Sequence, residues 1–446
     1  MFYSEDKIEI ADWALRESLR LGAQNARVEL SCIDNLTVQC EDTDVSTLQQ
    51  SSGCGLVFRL FVDGRYGTCS TNRLEKAELT NLIRNGIACT RLLTPDADRT
   101  LPDPSRYYRA ENLAQNEREI LDLQSYKPNN PNIDAVQMAC QVARPVIGQD
   151  PRLIHLSTYL ASRGGWQYIV DSQDFHGLLL ASNSVAYSTA SLRDKGDSRP
   201  SDSWMQYAVS LEDLQPLIGD LGQKALTAAQ QRIGATSVKA ERYDIAIEPT
   251  CLMKLLNPML SAMQDGALHA HRSFLERFNL GEKITSPLLT INDEPQRKGS
   301  FSACLFDFEG VATRFTPIIR QGHLCEWFIG TYLGNKMHMT PHISGPNVLC
   351  IEPGTQSRQQ VLDSLADVIL ITGFLGGNSN DVTGDFSFGI EGQLYHHGER
   401  VRGVAGVNLT GNMLDFWNSL SHVCNDVENL PDGHFPTLFF HDIQIA

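Results

Sequence analysis

The sequence predicts an α+β fold of two domains, with mixed, largely antiparallel sheets and flanking helices. Three observations point there. A chain of 446 residues is long enough to bury more than one core. Runs that alternate apolar and polar side chains come in neighbouring pairs joined by turn residues. Amphipathic runs of helical period flank those pairs.

Ser4 is placed to cap a first helix, with Glu5 and Asp6 in its first turn, Ile8, Ala11, Leu15 and Leu19 as its apolar stripe, and Gly22 at its exit. Two β-rich segments follow, ARVELSCIDNLTVQCED and GLVFRLFVDGRYGTCST. Asp63-Gly64 lies between alternating runs and predicts a tight hairpin. The glycines around Cys54 read as strand-edge geometry, and no partner base marks Cys54 as a nucleophile. A second helix is expected over 74–92, a proline-bearing connector over 94–108, a helix over 133–146, and strands and turns over 153–209. The repeated order of helix, then hairpins, suggests an internal duplication. A helix over 221–235 closes the first domain, 1–237.

The second domain, 238–446, opens with the strand YDIAIEP and a helix near 251–264. Strand-like runs between glycine and proline turns extend from Ser286 to Pro353. A short helix over 359–367 feeds the strand VILIT. A last helix is expected to carry Met413, Phe416, Trp417, Leu420 and Val423 at helical spacing, as core.

Bulk composition excludes several functions. Apolar residues make 42% of the chain and charged residues 20%, which is globular material with no run long enough to span a bilayer. Acidic residues stand at the N-terminus where a signal peptide carries basic ones, so a cytoplasmic protein is expected. The net charge of −16 repels phosphate backbones and makes direct nucleic-acid binding an unsuitable role. Eleven cysteines without a C-x-x-C support neither a zinc ribbon nor a thioredoxin-like site, and most read as small buried hydrophobes.

The stretch GFLGGNSNDVTGDFSFGIEG, 373–392, is the densest glycine motif. It is no dinucleotide fingerprint, because strand-like alternation follows it where a helix N-terminus has to meet the pyrophosphate, and it lacks the Gly-Lys-Ser/Thr of a P-loop. Glycines between strands instead allow close approach of a second backbone, which suits a peptide groove. The candidate groove residues are Gly376, Gly377, Asn378, Asp385, Phe386 and Ser387, with Phe386 and Phe388 on one strand face. The alternative is that Asp385 and Ser387 satisfy turn amides.

Histidine pairs were the other candidates. No His-Glu dipeptide exists. His338 and His342 have i, i+4 spacing, but Pro341 lies between them. His269 and His271 fall on one face if that segment is a strand. Each pair lacks a third ligand, so these four residues are the fallback metal set only. The G-x-S-x-G elbow is missing as well.

The combination of FLGGNSNDVTGDFSFGIEG with GERVRGVAGVNLTGNMLDFW and CND, VFRLFVDGRYGTCSTN and GEKITSPLLTI resembles the TldD/PmbA family, also called modulators of DNA gyrase. The resemblance implies a cytosolic two-domain protein from a metalloprotease family. Its active members hold zinc on a His-Glu-x-x-x-His helix with a further cysteine, and cut peptides or unfolded chains in a chamber formed by dimerisation. Counted back from GEKI, that helix motif falls on Asn257 to Ala262, which read NPMLSA, and LPDGHFPTLFF supplies no cysteine. The chain thus resembles the PmbA, or TldE, branch. The resemblance implies no cofactor in this chain, zinc in a TldD-like partner, and assembly as a heterodimer or homodimer. The functional expectation is a zinc-less subunit that shapes the substrate chamber. A self-sufficient metallopeptidase with a non-standard site, or a pure peptide- or protein-binding modulator of gyrase, are the alternatives.

Overall fold

The computed structural model describes residues 2–446. In the first half, β1 (Asn25–Glu41), β2 (Asp44–Val62), β3 (Arg65–Thr71), β4 (Leu153–Asp171), β5 (His176–Leu192) and β6 (Ser201–Ala208) form one antiparallel sheet in the order β3-β2-β1-β4-β5-β6. Two three-stranded meanders therefore meet back to back at β1 and β4, an arrangement that matches the expected repeat of helix and hairpins. Asp63 and Gly64 join β2 to β3 with φ of 51° and 70°, the paired left-handed conformation that this dipeptide favours.

The helices of this half are α1 (Glu5–Arg20), α2 (Lys76–Thr90), α3 (Leu113–Asp122), α4 (Ala135–Gln141), the single turn α5 (Leu211–Leu214) and α6 (Leu221–Arg232). Ile8, Ala11, Ala14 and Leu15 of α1, with Leu79, Ile83 and Ile87 of α2, bury against Val28, Leu30, Phe58 and Leu60 of the sheet. Each large apolar side chain so buried contributes about 1.5–3 kcal/mol. Ser4 precedes α1 as expected, without a side-chain cap bond. The helix expected over 133–146 is only α4, followed by turns, and α3 lies in a stretch to which the sequence assigns no element.

The second half contains β7 (Arg242–Ile247), β8 (Ile291–Asp293), β9 (Thr316–Arg320), β10 (His323–Leu324), β11 (Leu349–Ile351), β12 (Asp367–Ser379), β13 (Asp385–His396), β14 (Glu399–Asn412), β15 (Leu420–Val423), β16 (Glu428–Leu430), β17 (Gly433–Phe435) and β18 (Leu438–Gln444). They make two mixed sheets, β14-β13-β12-β7-β18-β15 and β10-β9-β8-β11-β17-β16. Helices α7 (Met253–Ala262), α8 (Asp265–His269), α9 (Thr331–Met337), α10 (Arg358–Ser364) and α11 (Met413–Asn418) complete the chain. The expected last helix is cut short. Met413, Phe416 and Trp417 are helical core, but Leu420 and Val423 lie in β15 and pair with Phe440 and Leu438 of β18.

The two halves share a core in which Tyr107, Ile169, Phe175 and Leu178 meet Phe306 and Val348. Two buried arginines cross the junction. Arg27 pairs with Asp171 at 2.7 Å and reaches the Phe308 carbonyl, and Arg232 joins Asp202 on β6 to Glu391 on β13.

At the same junction, burial, with the neighbouring Glu309 carboxylate second, pushes the Asp307 carboxyl up to about 6, against amide bonds from Val311 and Glu309 that pull it down. A carboxyl raised in the fold binds its proton more tightly there than in the unfolded chain. Its contribution is fully present at pH below about 4 and is lost as pH rises through about 6. Asp307→Asn should remove this pH dependence, on the order of 3 kcal/mol. Urea titrations of both proteins at pH 4 and pH 7 check it: the stability gap between them should change in the variant's favour at the higher pH.

Candidate functional site

The glycine motif is a hairpin. β12 and β13 pair in antiparallel register with an irregularity between Leu375 and Asn378, where two residues, Gly376 and Gly377, with φ of 62° and 85°, oppose the single residue Phe388. The backbone that comes close is therefore β13 itself: a Cβ on Gly377 would stand 2.1 Å from the Ser387 carbonyl oxygen. This bulge is why glycine is required at 377.

Beyond the bulge, Asn378 lies opposite Ser387, and both are exposed on the outer face with Asp385. Asp385 is already engaged. Thr383 donates its hydroxyl to one carboxylate oxygen at 2.7 Å, Asn412 donates its amide to the other at 3.0 Å, and these bonds hold the carboxyl below its usual range, Asn412 first. Phe386, 5% exposed, faces inward, stacked on Phe388 and edge-on to Phe416, so its ring belongs to the core and is not offered to a ligand. Beside the hairpin tip is a concavity of about 630 Å³ lined by Phe274, Arg277, Val382, Thr383, Asn412 and Leu414. Phe274 and Arg277 come from a segment far from the motif, which local spacing could not reveal.

The segment 257–262 lies on α7. Pro258 is inside the helix, where it forgoes one backbone hydrogen bond, and Ala262 is buried. Asn257 and Ser261, one turn apart, face a cavity of about 360 Å³ together with Gln264, Ser302, Asn347 and Asp432. The Asn347 amide is fixed in the wall, donating to Asp293 at 3.1 Å and accepting from the Cys304 thiol at 3.3 Å. Zinc takes imidazole, thiolate and carboxylate donors in a tetrahedral set. One amide, one proline ring and one methyl at 257, 258 and 262, faced by the single carboxylate of Asp432, do not make such a set.

The fallback histidines do not converge. His269 ends α8 and His271 stands in a turn at φ 52° with its ring against Glu276 at 2.5 Å, so the strand expected there does not exist. His338 is the left-handed residue that terminates α9, and His342 lies beyond it against the Glu326 carboxylate. Among the described residues no group of three or more His, Cys, Asp or Glu side chains is arranged to hold a metal ion.

The architecture is that of an α+β chain of a metallopeptidase family. Residues 240–446 match the PmbA/TldA metallopeptidase C-terminal domain, and residues 33–90 match the PmbA/TldA metallopeptidase domain 1. The chain is 36% identical to a protein of Bacteroides thetaiotaomicron described as a candidate modulator of DNA gyrase, whose crystal structure superposes with a TM-score of 0.93 over 99% of each chain. TldE from Thermococcus kodakarensis, 17% identical, has the same fold with a TM-score of 0.83 over 98% of this chain and all of its own. The metalloprotease PmbA of Escherichia coli O157:H7 is 22% identical over 99% of this chain and 97% of its own. The chain belongs to the PmbA/TldD family. No helix among the described residues is long and apolar enough to cross a membrane.

Proposed function

We propose that this chain is the zinc-less, substrate-shaping subunit of a cytoplasmic metalloprotease system that acts on peptides or unfolded chains, and that it pairs with a homologous, TldD-like subunit carrying the zinc helix. The observation that carries the reading is the α7 face: Asn257 and Ser261, with Gln264 just beyond the helix, stand at a cavity wall where the family resemblance puts a zinc helix. Zinc hydrolysis relies on the ion to bring its bound water's pKa to about 7, and amides and hydroxyls cannot do this. Holding an extended peptide needs only shape and hydrogen-bonding groups. The outer face of the β12/β13 hairpin has both, with Asn378 and Ser387 open to solvent beside the concavity at its tip.

Co-expression with an affinity-tagged relative that bears His-Glu-x-x-x-His tests the pairing. A stoichiometric complex through gel filtration is expected; recovery of the tagged protein without this chain contradicts it.

A second reading, a modulator of DNA gyrase, is favoured by the description of the 36%-identical relative. At a net charge of −16 such a role runs through contact with the enzyme and not with DNA.

A further inference from the structure

We propose that Cys32 and Cys54 form a reversible oxidation site, in which Cys54 reacts with hydrogen peroxide and Cys32 resolves the product as a disulfide. The two residues are directly opposite on β1 and β2, and they are bonded to each other in the structure. The ammonium of Lys7, on α1, lies 3.0 Å from the Cys54 sulfur and 3.8 Å from that of Cys32. These sulfurs are its polar contacts among the described residues, so a half-buried cation is dedicated to the pair. A cation in this position favours the thiolate, the form that attacks peroxide.

The arrangement also separates the roles of the two sulfurs. Cys54 is partly buried between Gly53 and Gly55 and nearest the ammonium, whereas Cys32 is 8% exposed. Burial disfavours the thiolate of six other cysteines, pushing Cys69 up to about 11, Cys251, Cys304, Cys350 and Cys424 up to about 12, and Cys40 upward. Cys89 is exposed, and among the described residues no ammonium or guanidinium hydrogen-bonds its sulfur.

The chemistry balances with peroxide as the oxidant. The Cys54 thiolate bonds to one peroxide oxygen, the O–O bond breaks, and hydroxide leaves, giving a sulfenic acid. The Cys32 sulfur then bonds to the Cys54 sulfur and the S–O bond breaks. Both released hydroxides end as water, the protons coming from the two thiols, and two electrons pass from the sulfurs to the peroxide. A dithiol reverses the bridge. Closure ties β1 to β2 at the point where the mostly exposed stretch Asp44–Gly53 of β2 ends.

The test uses the full chain, reduced with dithiothreitol, desalted, exposed to hydrogen peroxide and mapped by differential alkylation and mass spectrometry. The Cys32–Cys54 disulfide should form and be reversed by dithiothreitol, and Cys32→Ser should leave a sulfenic acid on Cys54 that dimedone traps. Lys7→Met should slow oxidation about tenfold at pH 7 and move its pH profile up by about one unit, because less thiolate is present, while Lys7→Arg keeps the wild-type rate. Oxidation confined to other cysteines such as Cys89, or a Lys7→Met protein that reacts as fast as the wild type, overturns the proposal.

Discussion

Gly377→Val should cost about 3–5 kcal/mol of stability and dismantle the β12/β13 pairing. Two effects add at this position. A β-branched residue is strained at a φ of 85°, and its Cβ would meet the Ser387 carbonyl oxygen at 2.1 Å and the Phe388 Cα at 2.6 Å. The neighbour separates them. Gly376 also has a positive φ, 62°, but a Cβ there meets nothing within 4 Å, so Gly376→Ala should cost only about 1–2 kcal/mol. Urea denaturation followed by tryptophan fluorescence measures both, since Trp417 is buried in the same core. Equal, small losses at both positions would mean that the bulge does not need its close approach. A consequence for the groove is that Gly377 is a poor probe of peptide binding, because its replacement damages the fold first; Asn378 and Ser387, exposed and opposite each other, are the better ones.

Arg27→Ala is the second large effect. Its guanidinium is 3% exposed and pairs with Asp171, whose carboxylate is fully buried and also accepts the Tyr107 hydroxyl at 2.8 Å. Removing the cation leaves that carboxylate without its counter-charge in a site closed to water, which typically costs 3–5 kcal/mol. The ion pair Arg242 to Asp442, with both side chains more than half exposed, gives the contrast: Arg242→Ala should change stability by about 0.2–1 kcal/mol. Because Arg27 also contacts the Phe308 carbonyl, its loss should loosen the junction between the two halves, visible as earlier proteolysis there. A melting temperature for Arg27→Ala within a degree of the wild type would contradict this.

Much of the fold was legible because it is encoded locally. The stripe of α1, the Asp63-Gly64 turn and the alternation in β13 each signal their element through neighbours a few residues apart. Local spacing misled where tertiary pairing decides. Leu420 and Val423 continue a helical period in sequence, yet β18 offers hydrogen bonds that pull them into a strand. His269 and His271 alternate like strand residues but lie in a short helix and the turn after it.

The candidate site divides in the same way. The hairpin residues are adjacent in sequence and were found together, although Phe386 turned out to serve the core. The α7 cavity joins side chains from four distant segments, around 257, 302, 347 and 432, so no spacing rule could assemble it. Arg27 and Asp171, 144 residues apart, are invisible to sequence for the same reason.

In the proposed pairing this chain contributes shape, and a partner contributes the metal. The most direct measurement is zinc content and cleavage of an unfolded casein substrate for this chain alone, for the His-Glu-x-x-x-His-bearing subunit alone, and for their complex. This chain alone should hold no stoichiometric zinc and cleave nothing, and the complex should hold one zinc per heterodimer and cleave. One zinc per protomer of this chain, together with cleavage in the absence of any partner, would contradict this division of roles.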